Sequence, residues 1–152
     1  MRVKNRLLNF SDNIIYQDDD YFAFSLDSVL LANFVTIKLS DKKIIDFCCG
    51  NGPIPMLMSF RTKARIFGVE LQKEIYDMGY DSICENNMDG QIELINADVK
   101  NIIDIFNEGT VKVIFYDMST KKYQEYSERL HYSEYAVNSL KRILGEENVV
   151  FK

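Results

Sequence analysis

The sequence predicts an α/β domain, a parallel sheet with helices on both faces. Three observations carry that prediction. From residue 44 onward, short apolar runs alternate with segments of helical period, the pattern of successive β-α-β units. Four of the runs finish in a carboxylate, at Asp46, Glu70, Asp98 and Asp117. The first run leads into Cys48-Cys49-Gly50-Asn51-Gly52 and then the apolar stretch Ile54 to Met58. Strand, glycine turn and helix together bring bare backbone up to a ligand, because glycine carries no Cβ and tolerates positive φ. In a doubly wound sheet the carboxyl ends of the strands line one edge, around the point where the strand order reverses.

Taken in order, Arg2, Lys4 and Arg6 form a basic stretch with no acid among them, read as a solvated tail, with a phosphate-facing arm as the alternative. Asn13 to Gln17 reads as a short strand and Asp18-Asp19-Asp20 as a turn. Ser25 is suited to cap a helix running to about Ile37, with Asp27 in its first turn and Leu26, Leu30, Ala32, Phe34 and Ile37 on a broad apolar side. Ile44 to Phe47 is the central strand, and a helix follows from about Ile54 to Phe60. Ala64 to Glu70 is the next strand, and Lys73 to Asn87 the next helix. Gly79 interrupts that helix at a cost of roughly 1 kcal/mol, which implies close packing at that point. Gln91 to Ala97 is a strand, Ile102 to Phe106 a short helix, and Val111 to Tyr116 a strand ending at Asp117. A long helix over about Lys121 to Leu144, stopped by Gly145, precedes a fifth core strand at Asn148 to Lys152.

Composition narrows the function classes. A chain of 152 residues, 47% apolar and 27% charged, is expected to be one globular domain. Residues 1–38 read as a segment capping cofactor or substrate and 39–152 as the core. No apolar run reaches the roughly 18–20 residues that span a bilayer, and Met1 to Asn5 precedes no apolar signal region. Three cysteines, two of them adjacent, suit reduced thiols and a cytoplasmic location. One histidine and no CxxC pair argue against a metal site. The net charge of −5 disfavours extensive nucleic-acid binding, although local basic clusters can still hold phosphates.

The turn separates cofactors. It lacks the third glycine of the dinucleotide fingerprint and the lysine of a P-loop. It resembles the D-x-G-x-G-x-G turn of class I S-adenosylmethionine-dependent methyltransferases, which have a Rossmann-like fold, with Cys48 at the first glycine. That resemblance implies S-adenosylmethionine held by Asp46, Cys48, Gly50, Asn51 and Gly52, ribose hydroxyls on Glu70 beside Leu71, and the adenine amine on Asp98 beside Val99. Phe24 to Ala32, Ile45 to Gly52, Gly68 to Gln72 and Ile95 to Lys100 together resemble the bacterial methyltransferases that act on an adenosine amine in valine tRNA. The likeness covers about residues 5–104. That family follows its fourth strand with Asn-Pro-Pro-Tyr, where this chain has Asp117-Met118-Ser119-Thr120. In place of that motif Asp117 is read as the catalytic acceptor and Tyr116 or Tyr123 as the stacking face, and Lys121 and Lys122, with Arg2, Lys4 and Arg6, are read as phosphate contacts if the substrate is RNA. His131, between Arg129 and Glu134, reads as a helix or surface residue.

The family's sheet has seven strands, so the sequence is expected to provide five and to lack the last two, leaving an edge open to homodimer pairing. Three functions stay open: a tRNA adenosine methyltransferase, a catalytically impaired cofactor-binding remnant or partner protein, and a small-molecule methyltransferase.

Overall fold

The computed structural model describes residues 1–8, 12–21, 24, 26–102, 111–115 and 149–151. Along these the chain runs β1 (Arg2–Arg6), β2 (Ile14–Asp18), α1 (Leu26–Phe34), β3 (Lys43–Phe47), α2 (Pro53–Ser59), β4 (Arg65–Glu70), α3 (Lys73–Glu85), β5 (Ile92–Asn96), α4 (Val99–Ile102), β6 (Val111–Phe115) and β7 (Val149–Phe151). β3 to β7 form one sheet in the order β5-β4-β3-β6-β7, with all four pairings parallel. The order reverses at β3, which makes the end of that strand the switch point of the sheet.

β3 is a strand because Ile44 and Ile45 are β-branched and both its faces are covered. Ile44 packs with Ile66, Leu31, Ala32, Met56, Met58 and Ile83 on one face, while Ile45 and Phe47 on the other are equally inaccessible. α2 begins with Pro53 in its first turn, where a missing N–H costs no helical bond. Gly79 proves to be a packing requirement. A Cβ there would lie 2.8 Å from Leu94 Cδ1 and 3.0 Å from the backbone carbon of Asn51. α3 therefore presses directly on the glycine turn. Gly79→Val is expected to cost about 2–3 kcal/mol by overpacking and to weaken ligand binding at the turn, measured by urea unfolding alongside a binding titration.

Two expectations are corrected. Arg2 to Arg6 is not a tail: it pairs antiparallel with β2, Arg2 against Asp18 through Arg6 against Ile14. Two of its three cations are engaged by α3, Arg2 with Asp81 at 2.7 Å and Lys4 with Glu85. The hairpin is further fixed by Tyr16 N–H to Ser82 Oγ at 2.9 Å and by the Asn86 amide, which both donates to Ile14 O and accepts from Ile14 N–H. The second correction concerns α1. Its buried side is Ser28, Leu31 and Ala32, continued by Val35, whereas Leu26, Leu30 and Phe34 are exposed. The short helix after β5 also starts earlier than expected, at Val99.

Candidate functional site

The turn after β3 alternates three positive-φ residues, Cys48 (60°), Gly50 (57°) and Gly52 (85°). At Cys48 the left-handed conformation costs a side chain about 1–2 kcal/mol, so this is a position glycine would occupy without strain. A Cβ on Gly50 would meet no atom within 4 Å, so the turn faces open space there. Asn51 is buried and donates through Nδ2 to Tyr16 O at 2.7 Å, tying the turn to the N-terminal hairpin.

Glu70 reaches the same turn. Its Oε2 accepts from Gly50 N–H at 3.1 Å and its Oε1 from Gln72 N–H at 2.8 Å. Two backbone donors fix the plane of this buried carboxyl. The end of β5 is stitched to the end of β4: Asn96 Nδ2 donates to Glu70 O at 2.9 Å and to Leu71 O at 3.0 Å, and Ala97 N–H donates to Glu70 O at 3.1 Å. Asp98 follows at once and accepts Asn101 N–H on its carbonyl as α4 begins at Val99. The residues expected to hold a cofactor on β3, β4 and β5 thus share one edge. Leu71 is exposed there and Val99 half-buried. Tyr116, Asp117, Lys121, Lys122, Tyr123 and His131 lie outside the described residues, as does the helix expected over 121–144.

Asp46 is the unusual member. It has no solvent exposure, and neither carboxylate oxygen has a hydrogen-bond partner among the described residues. Burial first, and the charge of Glu70 second, push its pKa well above the usual carboxylate range. Burial likewise raises the Cys49 thiol.

The turn is poorly furnished for a pyrophosphate. Gly50 N–H is held by Glu70, Gly52 N–H by Cys49 O, Cys49 N–H by Val69 O, and Pro53 and Pro55 have none. Two neighbouring carboxyl groups also repel an anion. The site instead suits a ligand that brings positive charge and hydroxyl donors. Among the described residues no group of three His, Cys, Asp or Glu side chains is placed to hold a metal, and no helix is long and apolar enough to cross a membrane.

Sheet order, glycine turn and carboxyl-lined edge are those of the class I methyltransferase fold, and comparison with solved structures shows that fold for this chain. The precorrin-6y C5,15-methyltransferase of Geobacter metallireducens GS-15 aligns with a TM-score of 0.63 and 16% identity, over 87% of this chain and 68% of that one. An RNA methyltransferase of Salinibacter ruber, bound to S-adenosylhomocysteine, aligns with a TM-score of 0.56 and 17% identity, over 86% of this chain and 72% of that one. The geranyl diphosphate C-methyltransferase of Streptomyces coelicolor A3(2), bound to Mg2+, geranyl diphosphate and S-adenosylhomocysteine, aligns with a TM-score of 0.53 and 19% identity over 62% of this chain. This chain spans only 35% of that enzyme's length. No protein-family model matches the chain, and no curated protein matches it in sequence.

Proposed function

We propose that the chain binds S-adenosylmethionine at the carboxyl ends of β3, β4 and β5 and transfers its methyl group to an adenosine amine in tRNA. One observation carries the cofactor half: at the switch point of the sheet the glycine turn is open at Gly50 and is met there by the Glu70 carboxyl, with the buried Asp46 carboxyl, unpartnered among the described residues, behind them. Ionising Asp46 beside Glu70 in the empty site is costly, which is what raises its pKa. A ligand carrying an ammonium and a sulfonium offsets that cost, and its ribose supplies the hydroxyl donors that Glu70 accepts. Asp98 accepts from the adenine amine, while Gly50 and Gly52 let the amino-acid portion lie against backbone.

When bound, the sulfonium supplies a methyl group already activated for direct displacement, so the protein's task is alignment. The acceptor amine has its lone pair delocalised into the ring. A carboxylate accepting its protons restores nucleophilicity as the new N–C bond forms, the role given to Asp117. The target base must be unpaired or extruded, as in an anticodon loop, and Tyr116 or Tyr123 would stack on it. The hydrogen bond from Asn51 of the turn to Tyr16 of the N-terminal hairpin supports a capping role for the N-terminal segment, residues 1–38.

Incubating the protein with methyl-labelled S-adenosylmethionine and unmodified tRNA tests the whole reading. Label is expected in the tRNA and is expected to fall at least a hundredfold in Asp117→Ala, with S-adenosylhomocysteine affinity unchanged in a calorimetric titration. Titratable binding without transfer identifies the chain as a cofactor-binding remnant or partner. A small-molecule acceptor is the reading favoured by the precorrin and geranyl diphosphate neighbours, and it predicts transfer that ribonuclease leaves intact.

A further inference from the structure

At the opposite end of β3 and β4 from the glycine turn lies a hollow of about 440 Å³. It is walled by two loops, one around Lys38 to Lys42 and the other around Phe60 to Arg65. Both are held rigid from below. Asp41 Oδ2 accepts Lys38 N–H at 2.8 Å and Asp41 N–H donates to Lys38 O at 3.0 Å. The Gln91 amide donates to Thr62 O at 2.7 Å and to Ala64 O at 3.0 Å.

Five cations line it, and they divide by what they touch. Arg61 donates to Ala32 O and Val35 O and so serves α1, and Arg65 pairs with Glu93 at 2.8 Å. Lys38, Lys42 and Lys63 are exposed and make no ion pair among the described residues. The acid in the lining, Asp41, is buried and turned onto backbone. Phe60, also in the lining, stands 56% exposed. A chain of net charge −5 thus carries a preformed, positively charged hollow with an aromatic face in it.

The acidic edge does not cancel it. Five residues of β3 separate the two ends by about 17 Å, some two Debye lengths at physiological salt, where that length is about 8 Å. We propose that this hollow is a contact site for single-stranded RNA, with Lys38, Lys42 and Lys63 meeting successive phosphates and Phe60 stacking on a base. Unpaired lysines beside an exposed aromatic in one hollow are what an unpaired strand uses, cations for its backbone and a ring face for a base. The distance to the methyl-transfer edge is a few nucleotides, so one RNA can reach both. The proposal rests on the RNA part of the function above and is independent of the cofactor part.

The test is binding of the full chain to a short single-stranded RNA and to an unmodified tRNA transcript over a range of salt, with S-adenosylhomocysteine titrated into every variant. For Lys38→Glu/Lys42→Glu/Lys63→Glu, affinity is expected to collapse and the slope of log K against log salt to become shallower by about two, at roughly 0.7 for each phosphate contact on a single strand. Phe60→Ala is expected to lose about tenfold with the slope unchanged. S-adenosylhomocysteine affinity stays at the parent value in both, which also shows that they fold. A triple variant with parental affinity and slope overturns the proposal while leaving methylation of tRNA a live function. Absence of RNA binding by the parent at low salt overturns it too, and an intact cofactor titration then keeps the cofactor assignment.

Discussion

Glu70→Ala is expected to weaken S-adenosylhomocysteine binding by about a hundredfold. Hydrogen bonds to a charged group contribute roughly 1.5–3 kcal/mol each. Two ribose hydroxyls donating to one carboxylate therefore place the loss near or beyond 2.7 kcal/mol, the energy of two decades in affinity. The substitution acts a second time through the turn. Gly50 N–H and Gln72 N–H lose their acceptor together, and the loop that must sit under the ligand loses its anchor. Glu70→Gln separates the two contributions poorly, because one end of the amide would point N–H at N–H. Glu70→Asp is the better control: it keeps the charge but shortens the reach, so a loss comparable to alanine's shows that position, not charge, sets the affinity. A Glu70→Ala protein that still binds with parental affinity would remove the ribose from this edge. Isothermal calorimetry measures all three variants, with thermal unfolding to register the turn's share.

How far the sequence reveals the site depends on which force holds each part. The strand-end acids are legible because β3, β4 and β5 are short apolar runs cut off by polar residues, and the parallel register then brings those ends together: Phe47 sits against Val69 and Glu70 against Asn96. Gly79 is legible because a helix that tolerates glycine needs a reason, here the backbone of Asn51. β1 leaves no such trace. Four of its five residues are exposed, and it is held by strand pairing and by Arg2 and Lys4 reaching Asp81 and Glu85 on α3, contacts some eighty residues apart in sequence. α1 misleads for the converse reason: apolar residues occur nearly all round it, so periodicity cannot select between the Leu26-Leu30-Phe34 stripe and the Leu31-Ala32-Val35 side. The basic hollow is invisible along the chain because its lysines come from two loops about twenty residues apart. The burial of Asp46 is equally hidden, since an acid after an apolar run looks the same whether it faces solvent or protein.

Asp46→Asn is expected to raise stability while lowering cofactor affinity, and the size of the first effect depends on pH. An unfolded aspartate titrates near 3.9. In the folded chain the value stands well above that, because the carboxyl is fully buried and faces Glu70. Between the two values the native protein keeps a proton that the unfolded chain has released, so stability falls as pH rises through that window, and above the folded value the full loss is in place. Asparagine is neutral throughout. The two proteins should therefore unfold at nearly the same temperature in mild acid and diverge as pH rises, with the variant ahead by about 1–2 kcal/mol, the range typical of relieving a functional strain. For a chain of this size that is several degrees in melting temperature. Cofactor affinity should move the other way, by tenfold or more, because the negative charge that burdens the free protein from behind the turn favours a positively charged ligand in front of it. Parallel melting curves at every pH would mean that Asp46 has a partner when folded. A variant both more stable and equally tight in binding would detach this acid from the site, since what destabilises the empty fold would then do nothing for the ligand.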